Sequence, residues 1–536
     1  MGSEGTRRQI KVASRLDKDL SRLVRKSAKG SFVLILGQFI STLISAIGVI
    51  VIARFLGSTS YGQVSVAMIP ISIALLFSDL GINSALVRHL SQYRHEENYE
   101  NLKTYMRAGL LINASVGMVF SIIIYALSGF LAYDIFHQPD LDLLIKIGSI
   151  SILAQNMLST AQSIFIGFER MELQSYTTIL YAILKTLLGP VLIWLGYGPL
   201  GAIIGLTLPY IVAASFGMLF IVILIMRGLK ENGGQSLFTA CRTMLVYGYP
   251  LFFSALLSGG LSQLNSFLMA VYVTLDLVGN YNAALNFGVL ISFLTQPISI
   301  ALFPLFSKLD YRESESLKVV FQSTIKYASL ITMPIVIVLF VLPDQIIRIV
   351  YTRGFSYAPL FLEIYALNFV FNVVGGLSLD NLLNSQGRTD INFRMTLSTL
   401  AIGLPLSFLL IPQYGIIGIL LIQLVASRPG MFYGLWWIKK NFGFTVDWVS
   451  SAKILLVSLF TWAVTKIILS LLGLRYLYEF FLGGFLIVVM FLLLLPLTGT
   501  IDRDDIRNIR SIGSTIKPLE PFVNLALNIL EKLMRK

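Results

Sequence analysis

Long apolar runs separated by short polar breaks fill the chain from residue 31 to residue 499, and only the two ends stay polar for any length. A hydrocarbon core of about 30 Å takes about 20 apolar residues per helix. On that measure the pattern predicts fourteen membrane spans: 31–55, 62–88, 105–130, 141–167, 173–196, 200–226, 245–272, 278–306, 321–342, 358–384, 391–411, 415–438, 450–472 and 477–499. The expected fold class is an all-α polytopic membrane protein. Before the first span, Val12, Leu16, Leu20, Leu23 and Val24 fall on one helical face among Arg and Lys, the pattern of a helix lying on an anionic inner leaflet. Phe522, Leu525, Ile529 and Leu533 repeat that spacing in the tail.

The apolar pattern is duplicated. Tyr197-Gly198 with Gly201 recurs 217 residues later as Tyr414-Gly415 with Gly418. The same offset carries Ser41 and Ser45 onto Ser258 and Ser262, Ala53 onto Ala270, Gly62 onto Gly279 and Ala67 onto Ala284. Each copy holds six spans, an even number, so both enter the membrane in the same orientation, as parallel repeats do in transporters. The expected organisation is a basic amphipathic segment (1–30), an N-lobe (31–226), a linker (227–244), a C-lobe (245–438), two extra spans (450–499) and an amphipathic tail (500–536).

Composition agrees with the pattern. Hydrophobic residues make up 56% and charged ones 13%, about half of the ~25% usual in a soluble domain. A net charge of +13 would suit nucleic acid were it spread over one surface. Instead 33 of the 41 Lys and Arg fall on one side of the predicted spans and five on the other, which places both termini in the cytoplasm and argues against a nucleic-acid partner. One cysteine, Cys241, and three histidines leave no Cys/His metal site and no internal disulfide, and no cofactor is expected. The polar, basic start also lacks the form of a cleavable signal peptide. Asn113-Ala114-Ser115 is a glycosylation triplet, expected to be inert inside span 3. Asp140 and Asp142, a DxD string, are expected to cap the next helix rather than to hold a metal for a glycosyltransferase, and the short loops leave little room for such an enzyme.

Several strings, in order along the chain, resemble one transport family. They are Ile52-Ala53-Arg54-Phe55-Leu56-Gly57 with Tyr61-Gly62, Asp79-Leu80-Gly81-Ile82 with Ala85-Leu86-Val87-Arg88, Val278-Gly279-Asn280-Tyr281-Asn282-Ala283-Ala284, Phe303-Pro304-Leu305-Phe306-Ser307-Lys308, and Asn384-Ser385-Gln386-Gly387-Arg388. Together they resemble the polysaccharide transport (Wzx-type) flippases of the multidrug/oligosaccharidyl-lipid/polysaccharide exporter superfamily. The resemblance implies a MATE-like fold of two six-helix lobes, opening alternately to either side of a prokaryotic cytoplasmic membrane to move a lipid-linked oligosaccharide, and a monomer is expected. It departs from many relatives at Gln263-Leu264-Asn265, where an acid is common, and it lacks the arginine-rich first span of the peptidoglycan-precursor flippases.

Lys185 and Arg428 fall near mid-depth of spans 5 and 12, with no acid at that depth in either span. A cation there costs ~2.5–3.5 kcal/mol on insertion scales. They are the candidate contacts for the phosphates of the cargo, against the alternative of pairing with a carboxylate or with carbonyls freed by Pro190 or Pro429. Arg54, at the outer end of span 1, joins them unless it snorkels to the interface. Asp79 and Arg88 are expected to form a structural pair or cap, Glu363 is the remaining candidate for ion coupling, and Asn265 marks the position of the missing acid. A cation-coupled drug antiporter of the same superfamily is the competing function.

Overall fold

The computed structural model describes residues 2–225, 235–289, 314–351 and 354–513, with the isolated positions 291, 295, 306, 307, 309, 528 and 531; side-chain detail begins at Val33. The faces expected of the N-terminal segment and of the tail, the Phe303–Pro304–Leu305 part of one motif, and linker residues 227–234 lie outside what is described. All regular structure among the described residues is helical. In order it runs α1 (Gly2–Ser78), α2 (Ile82–His95), α3 (Tyr99–Phe130), α4 (Leu141–Gly167), α5 (Met171–Leu192), α6 (Gly198–Phe220), α7 (Leu237–Tyr272) and α8 (Leu275–Leu285). Then come α9 (Ser314–Val341), α10 (Pro343–Tyr351), α11 (Ala358–Val370), α12 (Leu379–Ser385), α13 (Thr389–Val425), α14 (Arg428–Phe442), α15 (Trp448–Leu472), α16 (Tyr476–Leu497) and α17 (Arg503–Gly513).

Nine helical runs among the described residues are long and apolar enough to cross a membrane, or ten when α11 and α12 count as one broken span. The all-α, polytopic reading therefore holds, while the figure of fourteen is not reached. Part of the difference lies in how runs join. Val33–Ser78, Met171–Ile223 and Thr389–Phe442, of 46, 53 and 54 residues, each cover two of the expected segments. They are interrupted by glycines outside helical geometry: Gly57 (φ 75, ψ 174), Gly196 with Gly198, and Gly415.

The duplication is visible in backbone angles. Gly198 has φ 52 and ψ −134, and Gly415, 217 residues on, has φ 54 and ψ −125. Side chains are strongly disfavoured in that region, so the repeated Tyr-Gly is a repeated turn. The starts of α4 and α11, at 141 and 358, keep the same offset. Past that shared start the two copies diverge. α4 runs unbroken to Gly167, whereas α11 stops at Val370, passes through a 3-10 turn and Gly375 (φ 99), and resumes as α12 at a bend of 49°. Breaking a helix in lipid strands carbonyls that other groups must satisfy. Ser451 of α15 donates to the carbonyl of Val373 at 2.6 Å, and Ser329 of α9 to that of Asn372 at 3.5 Å.

The chain forms two compact units, one of residues 1–56 and 63–263, the other of 57–62 and 264–536. In the first, a buried polar ladder ties four helices: Asn113 donates to Thr160 at 2.7 Å and to Asn83 at 3.1 Å, and Asn156 donates to Ser78 at 3.1 Å. Asn113, 1% exposed, is thus occupied inside the bundle. The DxD string does not cap as expected. Asp140 makes no capping bond, and Asp142 accepts from Ser128 at 2.8 Å and pairs with Lys146 at 2.8 Å, because Lys146 lies one turn along the same face. In the second unit, Lys326 of α9 forms an ion pair with Asp505 of α17, which also accepts from the Tyr327 hydroxyl at 3.1 Å, so the helix after the last span is pinned to the bundle.

Candidate functional site

Lys185 lies in α5 and is half-buried. Among the described residues no carboxylate pairs with it; the aromatic neighbour of its ammonium is Tyr181, one turn back, 5.8 Å from nitrogen to ring centre. Tyr181 in turn stacks on Tyr210 of α6 with ring centres 4.2 Å apart and planes at 29°. The negative face of an aromatic ring offsets part of the cost of a desolvated cation without cancelling its charge. The tyrosine pair has no mark in the sequence, since its members sit 29 residues apart on two helices whose register only the fold sets.

Arg428 opens α14, where Pro429 prevents the preceding helix from continuing. Its Nε donates to the carbonyl of Leu424 at 2.8 Å, its Nη2 to Oδ1 of Asn368 at 2.9 Å, and its guanidinium lies 3.7 Å from the centre of the Phe371 ring. The carbonyl alternative is thus realised here. Leu424 is a carbonyl left open by the helix break, and the other two partners flank the break between α11 and α12. All three partners are neutral, so the charge of Arg428 is held in place and left uncompensated among the described residues.

The other candidates are less gathered. Asp79 is exposed and accepts from the backbone N–H of Gly81 at 3.3 Å, a turn-closing role at the start of α2. Arg88 makes no ion pair with it; its guanidinium covers the Tyr247 ring at 4.6 Å. Of the two structural roles expected for this pair, the local backbone contact is present and the ion pair is not, because α2 turns Arg88 toward α7. Arg54 is exposed. Glu363 is half-buried in α11. Asn265 is 7% exposed, and its Oδ1 accepts from the Ser407 hydroxyl at 2.5 Å, so a neutral hydrogen-bonded pair occupies the position where many relatives carry an acid. Among the described residues no cluster of His, Cys, Asp and Glu could hold a metal ion.

Asn280, from one of the motifs, is fully buried and accepts from the N–H groups of both Tyr357 and Ala358 at 3.0 Å. It caps α11 across 78 residues of chain, a role that local N-cap patterns do not reveal.

Among solved structures the molecule shares the fold of the lipid II flippase MurJ in its inward closed conformation, with a TM-score of 0.68 and 17% identity over 87% of this chain and 98% of that one. Its class is therefore the all-α, multi-pass transporter fold of that protein. The chain belongs to the polysaccharide biosynthesis protein family, which it matches over residues 27–310. It is 22% identical over 392 residues to the lipopolysaccharide biosynthesis protein WzxC of Escherichia coli K12, covering 71% of this chain and 75% of that protein. It is 20% identical over 438 residues to an uncharacterized membrane protein of Methanocaldococcus jannaschii, covering 77% and 84%.

Proposed function

We propose that this protein flips a lipid-linked oligosaccharide across a prokaryotic cytoplasmic membrane by alternating access, with Lys185 and Arg428 drawing the phosphate or pyrophosphate of the cargo toward mid-depth. The observation that carries the reading is the pair of spanning-helix cations without carboxylate partners among the described residues. An unpaired charge in a span is a cost that transport chemistry explains and packing does not. Arg54 is proposed to attract the same anion at the outer end of its span. Family membership and the likeness to WzxC support a role in polysaccharide export. The drug antiporter is disfavoured by the neutral Asn265–Ser407 pair, which cannot exchange a proton at physiological pH.

Deleting the gene should strand lipid-linked glycan on the inner leaflet, and Lys185→Gln or Arg428→Gln should fail to restore export by tenfold or more. Folded Lys185→Gln protein should be as abundant as wild type. Full export by both variants, or loss of the folded protein with Lys185→Gln, would overturn the assignment.

A further inference from the structure

Residues Gly57–Gly62 cluster with the second unit, although the residues on either side of them belong to the first. A backbone crossing built on two glycines holds them against α8. A Cβ on Gly62 would stand 1.9 Å from the carbonyl oxygen of Leu275, and one on Gly279 would stand 1.9 Å from that of Ser58. The 217-residue offset converts Gly62 into Gly279 and Ser58 into Leu275. The two approaches are thus one contact made twice, each partner giving what it receives, as a two-fold relation requires. Neither position has room for any side chain.

The surroundings of the crossing are sparse and polar. The Ser58 hydroxyl donates to the Asp276 carboxylate, which has no ion-pair partner among the described residues. Asn286 Nδ2 donates to the hydroxyls of Tyr61 and Tyr351, both at 3.2 Å. Gly57, with φ 75, breaks the helix just before the contact and supplies a joint. Small residues four apart let helices meet backbone to backbone, held by close fit and weak C–H···O contacts rather than by a large buried side-chain area. Parting such a contact uncovers a hydroxyl and a carboxylate, which water satisfies readily. Because the contact is repeated about one centre, a rocking motion that separates one half separates the other.

We propose that the Gly62–Gly279 crossing is a releasable clasp, and that each transport cycle opens and remakes it. The positive-inside distribution puts this crossing at the outer ends of the first, second, seventh and eighth spans. The inference rests on the proposed transport function.

In a Cys241→Ser background, Ser58→Cys with Asp276→Cys should be bridged by a short, reductant-cleavable bis-thiol reagent in native membranes. Bridging should abolish glycan export in the deletion strain, and cleavage of the bridge should restore it. Gly62→Ala or Gly279→Ala should lower the bridging yield several-fold and raise the reactivity of the cysteine at 276, in protein that still elutes as a single species. Failure to bridge, export that persists when bridging is complete, or alanine variants that bridge as well as the parent would each overturn the clasp. If the unbridged double-cysteine protein restores no export, the transport reading is what suffers; bridging yield and thiol reactivity in the alanine series then decide the clasp by themselves.

Discussion

A lysine and an arginine at similar depth meet different surroundings. Lys185 has an aromatic ring beside it and no hydrogen-bonding anchor, whereas Arg428 is fastened at Nε and Nη2 and laid on Phe371. Truncating Arg428 therefore strands the Leu424 carbonyl and Asn368, at about 1–3 kcal/mol, and Arg428→Gln should melt at a lower temperature than Lys185→Gln even if both lose export. The depth of both cations was legible from the spacing of apolar residues. Their partners were not, because Asn368 and Phe371 precede Arg428 by some 60 residues and reach it only through the break after α11. Outside the spans, Asp447 caps α15: its carboxylate accepts from Val449 N–H at 3.1 Å, Ser450 N–H at 3.2 Å and the Ser450 hydroxyl at 2.5 Å. Partial burial pushes its carboxyl up, but these donors win and hold it below the usual carboxylate range. A depressed carboxyl stabilises the fold fully above its unfolded value, about 3.9, and loses that contribution as pH falls through the folded value. Asp447→Ala should thus cost about 0.5–2 kcal/mol at neutral pH, and melting curves of variant and wild type should converge as pH drops below about 4. A gap that stays constant with pH would contradict the capping role.

At the scale of elements, the repeated Tyr-Gly shows how far sequence periodicity reaches. It predicted a duplication, and the two glycines do share backbone angles that disfavour any side chain. Gly198→Ala and Gly415→Ala should each cost about 1–3 kcal/mol and lower folded yield to a similar degree, which detergent melting curves can check. A variant as stable as wild type at one site would mean that the repeats turn differently there. The break between α11 and α12 was hidden, since Gly375-Gly376 looks like any glycine pair in an apolar run. It persists because Ser329 and Ser451, from two other helices, take up the carbonyls it frees. The capping expected of Asp140 failed for a related reason: a partner in three dimensions, the lysine one turn along from Asp142, decided what that turn's carboxylates do.

For the whole molecule, orientation follows from the unequal charge on the two sides of the spans. In the Cys241→Ser background, Asp140→Cys, between α3 and α4, should react with an impermeant thiol reagent from outside intact cells. Glu96→Cys, at the end of α2, should react only after permeabilisation. The reverse pattern would invert the topology and with it the direction of transport. The proposal of a flippase is tested most directly by purified protein in liposomes loaded with a polyprenyl-linked oligosaccharide in one leaflet. The prediction is that the protein moves the glycan headgroup to the opposite leaflet and that Lys185→Gln slows this at least tenfold. Liposomes that show no glycan movement but carry out proton- or sodium-dependent efflux of cationic dyes would contradict it.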